Sequence, residues 1–186
     1  MLRTSNPQAL PRAALPVDPA SDDALAHAWS VLEAVPDPEI PVVSIRELGI
    51  LRAVRRAADG ALEVVVTPTY SGCPAMSQIA EDIAQALDEA ALVPYRIETV
   101  LAPAWTTDWI TDAAREKLRT YGIAPPAGQC AGSAGGTAQA SPQPIRFVPR
   151  PSATPACPRC GSAHTERLAQ FGSTACKALY RCLDCR

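Results

Sequence analysis

The residues best suited to chemistry are two Cys-x-x-Cys pairs at the end of the chain, Cys157 with Cys160 and Cys182 with Cys185. Residues 161–181 separate the pairs, which is close to the spacing found in zinc ribbons. Four thiolates in a tetrahedron satisfy a zinc ion completely and leave no position for water or substrate. The pattern therefore predicts one structural zinc, whose binding would fold a module too small for an adequate apolar core. Less favoured alternatives are an iron–sulfur cluster and a redox-active thiol pair.

Three further cysteines lie outside these pairs. Cys176 lies between the two pairs, where it either packs as a small apolar residue or supplies an additional metal or cluster contact. Cys130 lies in a segment rich in Pro, Ala and Gly, and we interpret it as a bystander. Cys73 follows a loop rich in hydroxyl groups and therefore needs a separate interpretation.

Cys73 and Pro74 are predicted to open a helix, with Cys73 at its N-cap, because proline is favoured at the first helical position. A helix N-terminus favours the thiolate, which is the form that binds metal or sulfur. The preceding loop supplies no histidine or lysine as a general base, so covalent acyl transfer is poorly supported. A buried, inert cysteine at a strand-to-helix turn is the alternative.

Two carboxylates, Asp37 and Glu39, lie on a loop made stiff by Pro36, Pro38 and Pro41. They could approach the turn at Cys73 as hydrogen-bond acceptors or as oxygen ligands. Their spacing alone is weak evidence for such a site. The favoured alternative is that Asp37 caps a turn while Glu39 faces water.

The elements that must position these residues follow from hydrophobic periodicity and turn signals. A first helix begins at Asp22 or Asp23 and ends by Pro36. Residues 50–56 and 62–67 flank an Asp-Gly turn and predict a β-hairpin. The helix from Cys73 leads to a strand over 95–101, expected to run parallel to the second strand, and then to a helix over 107–121 that Gly122 stops. The predicted order is α-β-β-α-β-α.

The composition divides the chain into four parts. We predict a disordered tail over 1–22, a small two-layer α/β domain of the α+β class over 23–123, a flexible Pro/Ala/Gly linker over 124–156 and a four-cysteine zinc ribbon over 157–186. The tail and the linker have little apolar surface whose burial could offset the entropy of ordering them.

Charge and cysteine usage exclude several classes of function. The net charge of −2 gives no broad basic face, so nucleic-acid binding is not indicated. Residues 1–17 contain no continuous apolar segment, so the sequence predicts neither a signal peptide nor a membrane span. Cysteines in Cys-x-x-Cys pairs fit metal binding in a reducing compartment, and we expect a cytoplasmic protein.

Four segments together resemble the MIP18 family, also called the DUF59 domain. They are the acidic proline loop at 37–42, the Ser-Ile-Arg-Glu-Leu-Gly-Ile segment at 44–50, the Cys-Pro turn with its loop at 67–74, and Pro-Ala-Trp-Thr at 103–106. The resemblance covers residues 24–123. Relatives in this family include iron–sulfur assembly and targeting factors of bacteria and eukaryotes.

The ribbon extends the resemblance beyond this domain. With its Phe-Gly-Ser-Thr-Ala-Cys-Lys-Ala segment at 171–178, the chain is similar to the D-subunit family of bacterial phenylacetyl-CoA epoxidase systems. Such systems have a di-iron catalytic subunit and a flavin and iron–sulfur reductase. Relatives usually continue past the last cysteine pair in a short aromatic tail, whereas only Arg186 follows here, so the completeness of the ribbon is left open.

The resemblance implies a non-enzymatic accessory protein that matures or inserts a metal centre, with the other epoxidase subunits, above all the iron–sulfur reductase, as partners. It implies that Cys73 contacts a transient iron–sulfur cluster and that Asp37, Glu39, Thr67 and Thr69 line the same pocket. A homodimer is left open. The alternatives are a structural or docking subunit that binds no cluster and, less favoured, a redox enzyme, because a structural zinc would protect the thiols.

Overall fold

The computed structural model describes residues 22–126 and 154–186. Residues 1–21 of the predicted tail and most of the predicted linker, including Cys130, lie outside the described residues, whereas Asp22, predicted to end the tail, begins the first helix. The described elements are α1 (Asp22–Glu33), β1 (Leu51–Arg56), β2 (Leu62–Val66), α2 (Met76–Glu89), β3 (Tyr95–Thr99), a 3₁₀ helix (Thr107–Trp109), α3 (Asp112–Tyr121), β4 (Thr165–Ala169) and β5 (Leu179–Cys182). The predicted α+β class and the order α-β-β-α-β-α are confirmed.

The first sheet has three strands in the order β1-β2-β3. β1 and β2 pair antiparallel through the predicted hairpin, and a register shift lies between Leu51 and Ala53. β2 and β3 pair in parallel, as expected for two strands joined through a helix. The alternation of side chains puts Leu62, Val64 and Val66 on the buried face of the central strand.

The core lies between this sheet and the helices. In α2, Ile79, Ile83 and Leu87 recur every four residues and are completely buried, so one helix face carries the apolar contact. Leu32 of α1 is also completely buried. Full burial of each such side chain stabilises the fold by about 1.5 to 3 kcal/mol relative to exposure.

Two predicted helix starts were wrong. α2 begins at Met76 rather than at Cys73, because Cys73 and Pro74 form a separate turn in which the Met76 N–H donates to the Cys73 carbonyl over 3.4 Å. The last helix is divided because Ile110 and Thr111 adopt extended backbone, and the Thr111 hydroxyl caps α3 by accepting from the Ala114 N–H.

The segment from Ser44 to Gly49, just before β1, contacts Trp105 and Trp109 at the 3₁₀ helix. Ser44 and Glu47 form a reciprocal pair in which each side chain accepts a hydrogen bond from the other residue's N–H, at 3.2 and 3.0 Å. The Leu48 carbonyl accepts from the Trp105 indole N–H over 2.9 Å. Gly49 has a φ of +73°, and a Cβ there would lie 2.6 Å from Trp109 Cβ.

Gly49→Ala is therefore expected to destabilise the domain by about 2 to 4 kcal/mol, since it combines left-handed backbone strain with a steric clash. Gly60→Ala is the matched control, because Gly60 also has a positive φ, of +86°, but has no atom within 4 Å of the added Cβ. We expect it to cost only about 1 kcal/mol. Urea unfolding measures both, and equal losses would contradict the packing argument.

The C-terminal module is a two-stranded antiparallel hairpin of β4 and β5. A tight turn closes its first end, where the Cys157 N–H donates to the Ser162 carbonyl and the Gly161 N–H donates to the Cys157 carbonyl. Gly161 adopts a φ of +75° in this turn. No helix in the described parts of the chain is long and apolar enough to cross a membrane.

Candidate functional site

The four cysteines of the two Cys-x-x-Cys pairs converge at one end of the hairpin. The Sγ atoms of Cys157, Cys160, Cys182 and Cys185 all lie within 4.8 Å of one another. The Cys157–Cys185 and Cys160–Cys182 sulfur distances are 3.7 and 3.6 Å. Four sulfurs about 2.3 Å from a tetrahedral zinc would be about 3.8 Å apart. The spacing and the donor set therefore fit a four-thiolate metal site.

The local electrostatics of this cluster divide the thiols. Backbone N–H groups of Cys160 and Arg159 lower the pKa of Cys157 to about 6. The neighbouring thiols, Cys160 first, raise the pKa of Cys185 to about 12. The cluster thus stabilises the thiolate form of Cys157 and disfavours the thiolate form of Cys185. A divalent cation would remove the repulsion between neighbouring thiolates, because it would compensate the charge of all four sulfurs.

Polar side chains beside the four cysteines connect Ser162 and His164, which follow the first cysteine pair, with Asp184 of the second pair. The Asp184 carboxylate accepts a hydrogen bond from the Ser162 hydroxyl and lies 3.4 Å from His164 Nδ1. The Ser162 hydroxyl also lowers the pKa of Asp184, and His164 contributes to the same shift. Contacts of this kind orient the turns that carry metal ligands.

A second constellation begins with Asp37 on the proline loop. Its carboxylate is buried, and Oδ1 accepts hydrogen bonds from the N–H groups of Glu39 and Ile40 at 3.0 and 2.8 Å. Burial raises the pKa of Asp37 above its usual range. Asp37 thus caps the turn that carries Glu39, as the alternative predicted, whereas the Glu39 side chain does not face water and is only 19% exposed.

Asp37→Asn keeps an oxygen acceptor and removes the buried charge, so we expect unchanged or higher stability at neutral pH. A carboxyl whose folded-state pKa is raised holds a proton that the unfolded chain has released. The stability of the wild type should therefore fall as the pH rises from the ordinary pKa of aspartate through the raised value, and the variant should lack this slope.

Asp37→Ala is the contrasting variant, because it leaves two N–H donors without their acceptor and should cost about 1 to 3 kcal/mol. Urea unfolding at several pH values tests both expectations. An Asn variant as unstable as the Ala variant would show that the turn requires the charged carboxylate.

Cys73 lies in the loop between β2 and α2. It is half-buried at the edge of the core, and its N–H donates to the Tyr70 carbonyl over 3.1 Å. Thr67, at the start of the loop, is buried, and its Oγ1 has no hydrogen-bond partner. Thr69 is half-buried between them. The loop therefore carries a thiol that is partly open to solvent and a buried hydroxyl with unused hydrogen-bonding capacity.

Two residues of the ribbon, Cys176 and Lys177, contact Glu39. Cys176 Sγ lies 3.4 Å from Glu39 Oε2, and Lys177 Nζ lies 3.5 Å from the Glu39 carbonyl oxygen. Burial raises the pKa of the Tyr70 hydroxyl, and the charges of Cys73, Cys176 and Glu39 raise it further. The structure thus places the Cys176 thiol beside the Glu39 carboxylate.

Two residues of this constellation, Tyr70 and Lys177, were missed in the sequence. Tyr70 lies inside the loop before Cys73 and Lys177 follows Cys176, so neighbourhood in the chain was the available signal. Of the predicted pocket residues, Cys73 donates its N–H to the Tyr70 carbonyl and Glu39 contacts Cys176, whereas Asp37 turns its carboxylate to the backbone of its own loop.

Comparison with known proteins covers both parts of the chain. The family described as iron-sulfur cluster assembly protein matches residues 25–100, and the PaaD zinc beta ribbon domain matches residues 141–186. A relative from Escherichia coli (strain K12), provisionally named as the D-subunit of 1,2-phenylacetyl-CoA epoxidase, is 45% identical over 158 residues, or 85% of this chain and 86% of the relative. The chain belongs to the MIP18 (DUF59) family.

Two further matches concern the MIP18 domain. The Fe-S protein maturation auxiliary factor of Porphyromonas gingivalis (strain ATCC BAA-308 / W83) is 34% identical over 89 residues, or 47% of this chain and 84% of the relative. The crystal structure of a DUF59 domain from Bacillus anthracis has a TM-score of 0.47 and 26% identity, with 52% of this chain and 92% of that one covered. Cys73 and Glu39 lie in the MIP18 match, and Cys176 lies in the ribbon match.

Proposed function

We propose that this chain is a non-catalytic accessory component of a phenylacetyl-CoA epoxidase system that helps to assemble or insert an iron–sulfur cluster or a related metallocluster. The recipient is the oxygenase or, above all, its iron–sulfur reductase. The names of the relatives support this proposal, since one is provisionally named as a subunit of the epoxidase and another is named as a maturation auxiliary factor for Fe-S proteins. We place this function in the cytoplasm, where cysteine thiols stay reduced.

The observation that carries the proposal is the half-buried thiol of Cys73, in a loop whose Tyr70 hydroxyl has its pKa raised by Cys73 and by Glu39 of the acidic turn. Thiolates are soft ligands that iron in clusters prefers, and a carboxylate such as Glu39 is a ligand that exchanges more readily. A half-buried thiol can reach a cluster and still hand it to a partner. The cluster is in this proposal a cargo rather than a resident cofactor.

The ribbon metal has a different role in the proposal. Cys157, Cys160, Cys182 and Cys185 would hold a structural zinc, because four thiolates close its coordination shell. The zinc would supply the free energy that keeps the small hairpin folded. It would take no part in chemistry.

Anaerobic reconstitution tests the proposal. Zinc-loaded, full-length protein is incubated with ferrous iron and sulfide, desalted and analysed for iron, acid-labile sulfide and visible absorbance. We expect iron and sulfide to be retained in addition to the zinc. Retention of zinc alone, with no sulfide-to-iron absorbance, would contradict a cluster-carrying function.

A docking component that binds no cluster is the second candidate function. The exposed apolar side chains of the ribbon favour it, since Leu168, Phe171 and Leu179 are 52, 59 and 51% exposed. Copurification with the other epoxidase subunits discriminates the two candidates. A docking component should bind them equally well before and after iron–sulfur loading, whereas a carrier should bind its recipient more tightly when loaded.

A further inference from the structure

We propose that the outer edge of β3 pairs with the same edge of a second copy of this chain, so that two three-stranded sheets become one sheet of six strands. The two strands run antiparallel and are related by a two-fold axis at Ile97. The pairing uses the backbone, the charges and two apolar side chains around β3, and it is independent of the proposed function.

The outer edge of β3 carries backbone groups that no described residue binds. β3 ends the strand order and, among the described strands, pairs with β2 alone. The Leu62 N–H donates to the Pro94 carbonyl, so Pro94 and every second residue after it turn their backbone groups toward β2. The residues that turn their N–H and C=O groups outward are Tyr95, Ile97 and Thr99. Such a row of unpaired groups is a template for another strand.

The opposite edge of the sheet, formed by β1, is less suited to accept a strand. A register shift interrupts its ladder between Leu51 and Ala53, and the Arg52 guanidinium lies over the Trp109 ring, 3.4 Å from its centre. β3, by contrast, keeps one register with β2 along its whole length. Irregular pairing protects edge strands from further pairing, so β3 is the edge that remains open.

Charge complementarity favours a second copy as the occupant of this edge. A two-fold axis at Ile97 puts Arg96 of each copy opposite Glu98 of the other, so the interface contains two pairs of opposite charge. The outward backbone groups form the hydrogen-bonded pairs, so Arg96 and Glu98 occupy the alternate positions, where facing side chains approach most closely. The same strand thus carries both halves of a self-complementary edge.

Both charged side chains have capacity left for this second pairing. Arg96 binds Asp59 and Glu63 of its own copy through Nη1 and Nε, each at 2.9 Å, which leaves Nη2. Glu98 binds Arg55 through Oε2 at 3.2 Å, which leaves Oε1. Arg55, Glu63 and Arg96 already form a row of alternating charge across the three strands. Glu98 of the second copy would extend this row by one further alternation.

Two exposed apolar side chains flank β3 at symmetrical positions. Val93 lies two residues before the strand and Leu101 lies two residues after it, and both are exposed. Each is four residues from Ile97, so the same axis puts Val93 of one copy opposite Leu101 of the other. Exposed apolar surface at this place is typical of a protein–protein contact. The pairing that matches the charges therefore also covers the apolar ends.

Sedimentation equilibrium and amide hydrogen exchange test the pairing on the zinc-loaded, full-length protein. We expect twice the 19.6 kDa mass of one chain in the micromolar range, since a small interface binds weakly. The N–H groups of Arg96 and Glu98, which face β2, should be protected from exchange at every concentration. Those of Tyr95, Ile97 and Thr99 should exchange about tenfold more slowly in the dimer than in the dilute monomer.

Three results of these measurements would overturn the inference. One is a protein that stays monomeric up to about 1 mM. Another is a dimer whose Tyr95, Ile97 and Thr99 amides exchange as fast as in the monomer, because the copies would then meet elsewhere. The third is slow exchange of these amides in a monomer, because a segment of the same chain would then occupy the edge.

Charge reversal tests the register of the two strands. Arg96→Glu and Glu98→Arg each place like charges opposite one another twice, so we expect each to raise the dissociation constant of the dimer about 10- to 100-fold. An equimolar mixture should bind nearly as tightly as the wild type, because arginines of one variant then face glutamates of the other. Native mass spectrometry identifies this heterodimer, since the two variants differ in mass.

Arg55→Glu is the matched control, because Arg55 also binds Glu63 but lies on β1, away from the pairing edge. It should dimerise like the wild type. Circular dichroism and zinc content show whether each variant folds. A mixture that associates no better than the single variants, or a control weakened as much as Arg96→Glu, would overturn the inference.

Discussion

Replacing Cys73 with serine is expected to separate function from folding. The variant should be soluble and should retain its zinc, but it should fail to support growth on phenylacetate and should lower the cluster content of the epoxidase reductase. The Cys73 N–H, rather than its side chain, makes the turn with Tyr70, and serine has nearly the same size. The change therefore removes a soft ligand for iron at little cost in stability.

Ser71→Ala is the matched control for this variant, because Ser71 lies exposed in the same loop and carries no thiol. It should support normal growth. Thermal unfolding and zinc analysis of both variants show whether the fold is kept. Normal growth and a full cluster content with Cys73→Ser would assign the thiol a structural role and favour the docking component.

Loss of the ribbon metal is expected to unfold the ribbon and to leave the MIP18 domain intact. Cys182→Ser should reduce the zinc content from one ion per chain to near zero, because a site of three thiolates loses most of its affinity. Structural zinc contributes about 10 to 16 kcal/mol to the folding of such modules. The apolar core of the MIP18 domain, by contrast, contains no buried residue of the ribbon.

Elemental analysis and limited proteolysis measure the two effects of Cys182→Ser. Cleavage should appear within 157–186, while the fragment that contains α1 to α3 persists. Cys176→Ser is the control, since its thiol lies outside the four-sulfur cluster and its loss should leave the zinc in place. Full zinc occupancy in Cys182→Ser, or iron in the cluster of the purified wild type, would contradict the structural-zinc assignment.

Local signals made most of the fold predictable. The Asp-Gly turn between alternating segments indicated the hairpin of β1 and β2, and the helical segment after β2 indicated that β3 runs parallel to it. Gly122 stops α3 in the left-handed conformation, with a φ of 98°. In each case the residues that decide the structure lie within a few positions of it.

The predicted helix starts were wrong at residues that suit two different local backbone structures. Pro74 suits the first position of a helix, but its fixed φ equally suits the separate turn that precedes α2. Periodicity over 107–121 likewise continued through Ile110, where the backbone is extended. Interactions outside the local segment decide such positions, including the packing of Trp109 against Gly49.

The candidate site was predictable only where its residues lie close together in the sequence. The two Cys-x-x-Cys pairs indicate their ligands by spacing, and their sulfur atoms converge as that spacing predicts. The contact of Cys176 and Lys177 with Glu39 joins residues 137 and 138 positions apart, which no periodicity or turn signal records. Only the folded chain brings these two ribbon residues to Glu39.

The most direct test of the account is the iron and acid-labile sulfide content of the epoxidase reductase, purified from cells with and without this protein. The account predicts that the reductase from deficient cells lacks part of its cluster. Wild-type protein should restore the cluster, and Cys73→Ser should not. A reductase with full iron and sulfide in cells without this protein would contradict the account.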